Sequence, residues 1–338
     1  MILFEKNADE KMPTSSMSKV MTMYMVFDAL KNGSLNLDDT LLVSEKAWRK
    51  GGSKMFVEVN KRVKVEDLIR GVIIQSGNDA TIVLAEGLAG TELAFAKAAT
   101  EKAHELGMKN SNFVNASGWP DPQHYSTARD LAILGKAIIS NFPEHYDYYS
   151  ETEFTYSEIT QKNRNPLLYR DMGADGIKTG HTEAGGYGLI GSGTHDGRRV
   201  VIVVNGLDSE QSRAQEGAKL LEWGLRGFEN KTLLKSGQNV GMAEVAFGKK
   251  ESVPLQVQGD VIMTLQRIGG EDVKMEAVYT GPLKAPVRKG DVIGSLKVHV
   301  PTSKQVMEYP LLAGEDIAPL GFFSGTIAKA KQYLAGGA

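Results

Sequence analysis

The chain has 338 residues, 41% hydrophobic and 24% charged, which suffices for a catalytic domain of roughly 200 residues and a smaller partner. Lysine and arginine total 39 against 41 aspartates and glutamates, so the overall balance gives no sign of nucleic acid or of a strongly anionic partner. Cysteine is absent, which excludes disulfides, zinc-thiolate sites and a cysteine nucleophile but fits a reducing cytosol and a periplasm equally.

The opening Met-Ile-Leu-Phe-Glu-Lys-Asn lacks the basic segment, apolar core and small-residue cleavage site of a secretory signal. No stretch approaches the roughly 18 consecutive apolar residues of a membrane-spanning helix. Residues 2–5 read as a short strand, followed by a turn that leads to Pro13 and a helix starting near Ser15. From 20 to 30 that helix is apolar nearly all round, which predicts burial, and Gly33 suits its C-terminal cap. Helices are predicted over 65–75, 80–87, 91–106 and 127–139, the first two joined by Ser76-Gly77-Asn78. Residues 176–182, 186–194 and 198–205 read as strands, the last two closed by His195-Asp196-Gly197, and a helix over 211–223 follows. This order is an α+β layout. From about 234 strands dominate, over 244–247, 261–267, 273–279 and 292–300, as in a small β sandwich. Of the large aromatics, Trp48, Phe56 and Tyr24 are assigned to the core rather than to a ligand platform.

Three short motifs offer chemistry. Ser16-Met17-Ser18-Lys19 sets a hydroxyl and an amine one helical turn apart on one face. Serine needs a base to become a nucleophile, and lysine serves as one only when desolvation or nearby positive charge lowers its pKa, as a buried helix does. Ser76-Gly77-Asn78 offers a second hydroxyl for proton relay and an amide to hold a carbonyl, although a plain helix-helix turn reads the same. Lys178-Thr179-Gly180 offers a cation and a hydroxyl for a carboxylate, with Gly180 letting a substrate backbone approach; an edge lysine that discourages aggregation is the bland alternative. The histidines show no His-x-x-x-His pair, which leaves a zinc route without support, and His124 and His181 read as local hydrogen-bonding or packing residues. Neither a metal nor a cofactor is expected.

In this order the three motifs are those of the penicillin-recognising serine enzymes. Within that group residues 3–232 resemble the low-molecular-mass penicillin-binding proteins that act as serine-type D-alanyl-D-alanine carboxypeptidases. The resemblance rests on 13–19 (Pro-Thr-Ser-Ser-Met-Ser-Lys), 76–80 (Ser-Gly-Asn-Asp-Ala), 121–130 (Asp-Pro-Gln-His-Tyr-Ser-Thr-Ala-Arg-Asp) and 178–182 (Lys-Thr-Gly-His-Thr). It implies a β-lactamase-like transpeptidase fold over 1–232, a β-rich domain over 233–316 and a C-terminal helix or tail over 317–338. It implies that Ser16 attacks the penultimate D-alanine carbonyl of a peptidoglycan stem peptide and that Lys19 accepts its proton. Ser76 and Asn78 then line the opposite wall, and the N–H groups of Ser16 and His181 resemble the oxyanion hole. Lys178, Thr179, Thr182 and Arg213 face the substrate carboxylate, although Arg213 alone reads equally as a solvated residue near a helix start. β-Lactams are expected as covalent inhibitors.

The family also begins with a signal peptide and a strand beside Leu3 and Phe4. Both are missing, so a trimmed or mis-started sequence is expected, and location in the periplasm or on the outer face of the cytoplasmic membrane follows from resemblance alone. Residues 321–334 place Phe323, Ile327, Ala330 and Leu334 on one helical face, the pattern of a weak membrane-surface contact or a frayed tail. The alternatives are a β-lactamase, for which no Glu-x-x-x-Asn element appears between the second and third motifs, and a non-catalytic peptidoglycan-binding homologue.

Overall fold

The computed structural model describes residues 1–268, 273–300 and 306–321. The chain forms two compact units, one of Glu5–Arg226 and one of Met1–Phe4 with the chain from Gly227 on. In the first, helix α1 (Lys19–Lys31) is buried from Lys19 to Ala29 except at Met25 and Asp28, as its all-round apolar pattern requires. It is followed by α2 (Glu45–Arg49), α3 (Val65–Ile73), α4 (Asn78–Ala89), α5 (Glu92–Glu105), α6 (Ala128–Asn141), α7 (Pro143–Tyr146) and, after the sheet, α8 (Glu210–Arg226). Helices α3, α4, α5 and α6 all pack on α1. Thr91 and Thr127 cap α5 and α6 by accepting from Ala94 N–H and Asp130 N–H, each satisfying a donor that the helix leaves open.

Strands β1 (Thr40–Leu42) and β2 (Arg62–Lys64) pair antiparallel, as do β3 (Glu153–Tyr156) and β4 (Ile159–Lys162). The main sheet of this unit runs β5 (Ala174–Thr182), β6 (Gly186–His195), β7 (Arg198–Leu207), all antiparallel, with β5 at an edge. Asp196 and Gly197 close β6 to β7 with φ of 49° and 72°, the backbone that makes Asp-Gly a hairpin signal. Leu189, Val200 and Ile202 pack with Leu221 and Leu225 of α8. Gly135 lets α6 approach the sheet, since a Cβ there would stand 3.0–3.3 Å from Val201, Ile177 and Ile190.

In the second unit β12 (Lys274–Tyr279), β14 (Val292–His299), β15 (Val306–Ala313), β10 (Ser252–Val257), β9 (Asn239–Ala246) and β13 (Leu283–Lys284) form one sheet in that order, while β11 (Val261–Gln266) pairs with β8 (Phe228–Leu234). Burial alternates along β10 and β11, as it must when one face of a sheet covers a core. Because β8 pairs with β11, the division between the units falls after Arg226, within the stretch that the sequence pattern joins to the first domain.

Some expectations need correction. Residues 2–5 form no strand. Tyr24 is in the core, edge-on to Phe142 at 4.9 Å, but Trp48 and Phe56 are 43% and 47% exposed. Trp48 lies on short α2, which buries Ala47, and Phe56 sits at φ 70° where the neighbouring main chain is tied down. The amphipathic pattern over 321–334 lies, but for its first residue, outside the described residues.

Candidate active site

Ser15–Ser18 form a turn of 3₁₀ helix that runs into α1, rather than the α-helix start that the sequence suggests. In 3₁₀ geometry residues three apart eclipse, and Ser16 Oγ lies 2.8 Å from Lys19 Nζ. Lys19 is fully buried, and its Nζ also donates to Ser117 O at 2.8 Å. Burial holds its pKa well below the usual lysine range, helped by the positive charges of Lys178, Arg164 and Lys50 and opposed by Asp79. An uncharged amine has one lone pair and two N–H groups, so giving an N–H to Ser117 O lets the lone pair face Ser16.

The second motif forms the turn into α4. Ser76 adopts φ 60° and its buried Oγ has no hydrogen-bond partner among the described residues, which leaves it free to relay a proton. Asn78 donates its amide to Gly51 O at 2.9 Å. Asp79 accepts from Met55 N–H and Ala80 N–H through Oδ1, and from Phe56 N–H and Val57 N–H through Oδ2. Its carboxylate thus ties the segment before β2 to the start of α4. Arg164 Nη1 donates to Ser53 Oγ at 2.6 Å, and Lys50 Nζ stands 3.9 Å above the Trp119 ring.

The third motif lies on β5, the edge strand that packs against the serine turn. Strand alternation puts Lys178, Gly180 and Thr182 on one face and Thr179 and His181 on the other. Lys178 is buried, and desolvation with the charges of Arg164 and Arg213 lowers its pKa to about 7. Arg213 is not the solvated residue that a helix start suggests: it is 6% exposed, its Nε lacks a partner among the described residues, and its guanidinium lies 5.5 Å from the Tyr187 ring. His181 stacks on the same ring at 3.9 Å, and Thr182 Oγ1 accepts from Gly185 N–H. Thr179 is buried and its carbonyl accepts from Lys178 Nζ at 3.3 Å. The site therefore gathers positive charge: Lys178, Arg164 and Lys50 act on Lys19, and Arg164 and Arg213 act on Lys178.

Gly180 also serves a purpose within the fold. A Cβ there would lie 2.3 Å from Ser15 Oγ, 3.0 Å from Thr14 O and 3.1 Å from Met17 Cγ, so the glycine admits the serine turn. In a Gly180→Ala variant the acylation rate, followed with a fluorescent penicillin, is expected to fall on the order of 10²-fold, because a shift of about 1 Å in the reacting groups costs that much.

Four contributors carry no sequence signal strong enough to single them out. Ser117 acts through its carbonyl, which any residue supplies. Arg164 and Lys50 are ordinary charged residues until the fold brings them beside Lys19. Asp79 had a signal, an acid in the first turn of a predicted helix beside Ser-Gly-Asn, but its partners lie more than twenty residues back.

Residues 1–209 match the model of the D-alanyl-D-alanine carboxypeptidase family, and residues 228–319 that of the penicillin-binding protein 5 C-terminal domain. D-alanyl-D-alanine carboxypeptidase DacA of Haemophilus influenzae is 38% identical over 330 residues, 95% of this chain and 83% of that protein. The crystal structure of penicillin binding protein 5 from Haemophilus influenzae covers 94% of each chain with 38% identity and a TM-score of 0.81. Penicillin-Binding Protein D2 from Listeria monocytogenes in its ampicillin-bound form covers 66% of this chain and 91% of its own, with 33% identity and a TM-score of 0.60. With a buried lysine against a serine, a family match over the whole first unit but its last helix, and a second match over the β unit, this chain belongs to the D-alanyl-D-alanine carboxypeptidases of the penicillin-binding protein 5 type.

Proposed function

We propose that Ser16 is the nucleophile and Lys19 its base in removal of the terminal D-alanine from peptidoglycan stem peptides. Ser16 Oγ attacks the penultimate D-alanine carbonyl while its proton passes to Lys19 Nζ. As the tetrahedral centre collapses, the bond to the terminal D-alanine nitrogen breaks and Ser76 relays a proton to that leaving amine. Water then hydrolyses the Ser16 ester. Asn78 holds the donor peptide. The Ser16 and His181 N–H groups stabilise the oxyanion; the first belongs to a helix start, where N–H groups have no intrahelical partner. Lys178 takes the substrate carboxylate together with Thr179, Thr182 and Arg213, and Gly180 keeps this edge close to the serine turn.

The observation that carries this reading is the 2.8 Å approach of a buried, charge-depleted amine to Ser16 Oγ. The same serine is the point of attack on β-lactams, a reading supported by the ampicillin-bound relative. The chain up to Arg226 acts as the catalytic domain, and the part from Gly227 on, which includes β8 and its partner β11, as a β domain. The enzyme works in the periplasm at the outer face of the cytoplasmic membrane, with the chain beyond 321 as its membrane-surface contact, since Ile317 is buried in the β unit and bridges Val287. Among the described residues no helix is long and apolar enough to cross a membrane.

The test is D-alanine release from diacetyl-lysyl-D-Ala-D-Ala. Wild type is expected to release it, and Ser16→Ala to fall to background; equal release by both proteins refutes the assignment. Penicillin should leave a long-lived adduct on Ser16, whereas fast turnover of penicillin would make the chain a β-lactamase.

A further inference from the structure

The serine turn and the loop that holds Lys19 are fastened together by a side chain that the chemistry above does not use. His124 is 4% exposed and directly precedes Tyr125 and Ser126, which bridge to Asn112 and Met12. Val114 N–H donates to His124 Nδ1 at 3.3 Å, which leaves the ring proton on Nε2, 2.8 Å from Ser18 Oγ. Ser18 Oγ in turn lies 2.5 Å from Thr14 Oγ1. Thr14 and Ser18 bracket Ser16, one as the cap of the 3₁₀ turn and the other as its last residue.

The same loop meets the next residues of the helix through its main chain. Lys19 Nζ donates to Ser117 O, and Thr22 Oγ1 donates to Ala116 O at 2.6 Å. Ser18, Lys19 and Thr22 thus contact one loop from one side of the helix, and only the first of these contacts runs through a loop side chain. Burial lowers the His124 pKa to about 4, helped by Lys19 and opposed by Asp121 and Glu92, so near neutrality the ring is uncharged and keeps one donor and one acceptor.

We propose that His124 is a positioning residue: its bond to Ser18 fixes the register between the turn carrying Ser16 and the loop whose Ser117 carbonyl orients the Lys19 amine. Without it the carbonyl drifts, the lone pair of Lys19 turns away from the serine hydroxyl, and acylation slows while substrate binding stays. The inference rests on the Ser16–Lys19 reading above.

Stopped-flow acylation by a fluorescent penicillin, thermal melting, and kcat and KM for D-alanine release are to be measured on the full chain. His124→Phe keeps the packing against Phe113 and is expected to lower acylation and kcat about tenfold or more with little change in KM. His124→Gln, whose amide can both accept from Val114 and donate to Ser18, should stay within about threefold of wild type. Ser18→Ala should match His124→Phe, and the double variant should be no slower than either, the mark of a shared bond. A folded His124→Phe with the wild-type acylation rate overturns the proposal, and so does a double variant whose losses multiply. If His124→Phe does not fold, Ser18→Ala decides: a wild-type rate overturns the proposal and a tenfold loss supports it. Ser16→Ala separates the two layers. A wild-type adduct that survives Ser16→Ala defeats the nucleophile assignment, whereas an adduct confined to Ser16 and indifferent to His124 and Ser18 defeats only the positioning role.

Discussion

Lys19→Ala is expected to lower the rate of Ser16 acylation on the order of 10³-fold, within the range that a positioned general base contributes. The amine is 2.8 Å from the hydroxyl, is fully buried, and has its charged form disfavoured by desolvation and by three neighbouring cations. Lys19→Arg should be no rescue, because a guanidinium stays protonated and accepts no proton. The sign of the pH dependence follows. The base is the uncharged amine, so acylation falls as pH drops through the lowered Lys19 pKa and the amine gains its proton. Stopped-flow acylation against pH measures both effects; a Lys19→Ala protein acylated at the wild-type rate would sink the mechanism.

Asp79→Ala is expected to destabilise the first unit by roughly 3–5 kcal/mol, seen as a drop in melting temperature on the order of 10 °C. The carboxylate accepts from four N–H groups, three of them in Met55–Val57. Truncation leaves buried donors without partners, and each such donor costs about 1–3 kcal/mol. Gly77 shares the arrangement, since a Cβ there would come within 2.9 Å of Asp79 Oδ1 and 3.1 Å of Met55 N. Asp79→Asn keeps one oxygen acceptor and should lose about half as much. Calorimetry on the three proteins checks the order, and an Asp79→Ala protein that melts with wild type contradicts it.

How much of this was legible depended on whether the signal was local. Ser16 and Lys19 are three residues apart on one helix, and their pairing follows from helical spacing; Asp196-Gly197 foretold its hairpin in the same way. Strands β10 and β15 escaped because each contains a proline, Pro254 and Pro310, which argues against a strand away from a sheet edge. Both lie inside the sheet, where the Pro254 and Pro310 carbonyls still accept from Gly314 and Gln258 N–H. The packing role of Gly180 is hidden in the sequence for a related reason: its neighbours Thr14 and Ser15 stand more than 160 residues away, and nothing in Lys-Thr-Gly names them. Arg213 has a bland local setting in the sequence, and the fold buries it against Tyr187.

The crowding of cations around Lys178 would couple the binding of any anion there to the solvent. A carboxylate lodging beside that ammonium cancels the repulsion from Arg164 and Arg213, so the amine becomes more basic than its free value of about 7. Occupation near neutral pH therefore draws hydrogen ions out of the medium, and the heat measured on titrating such an anion varies with the ionisation enthalpy of the buffer.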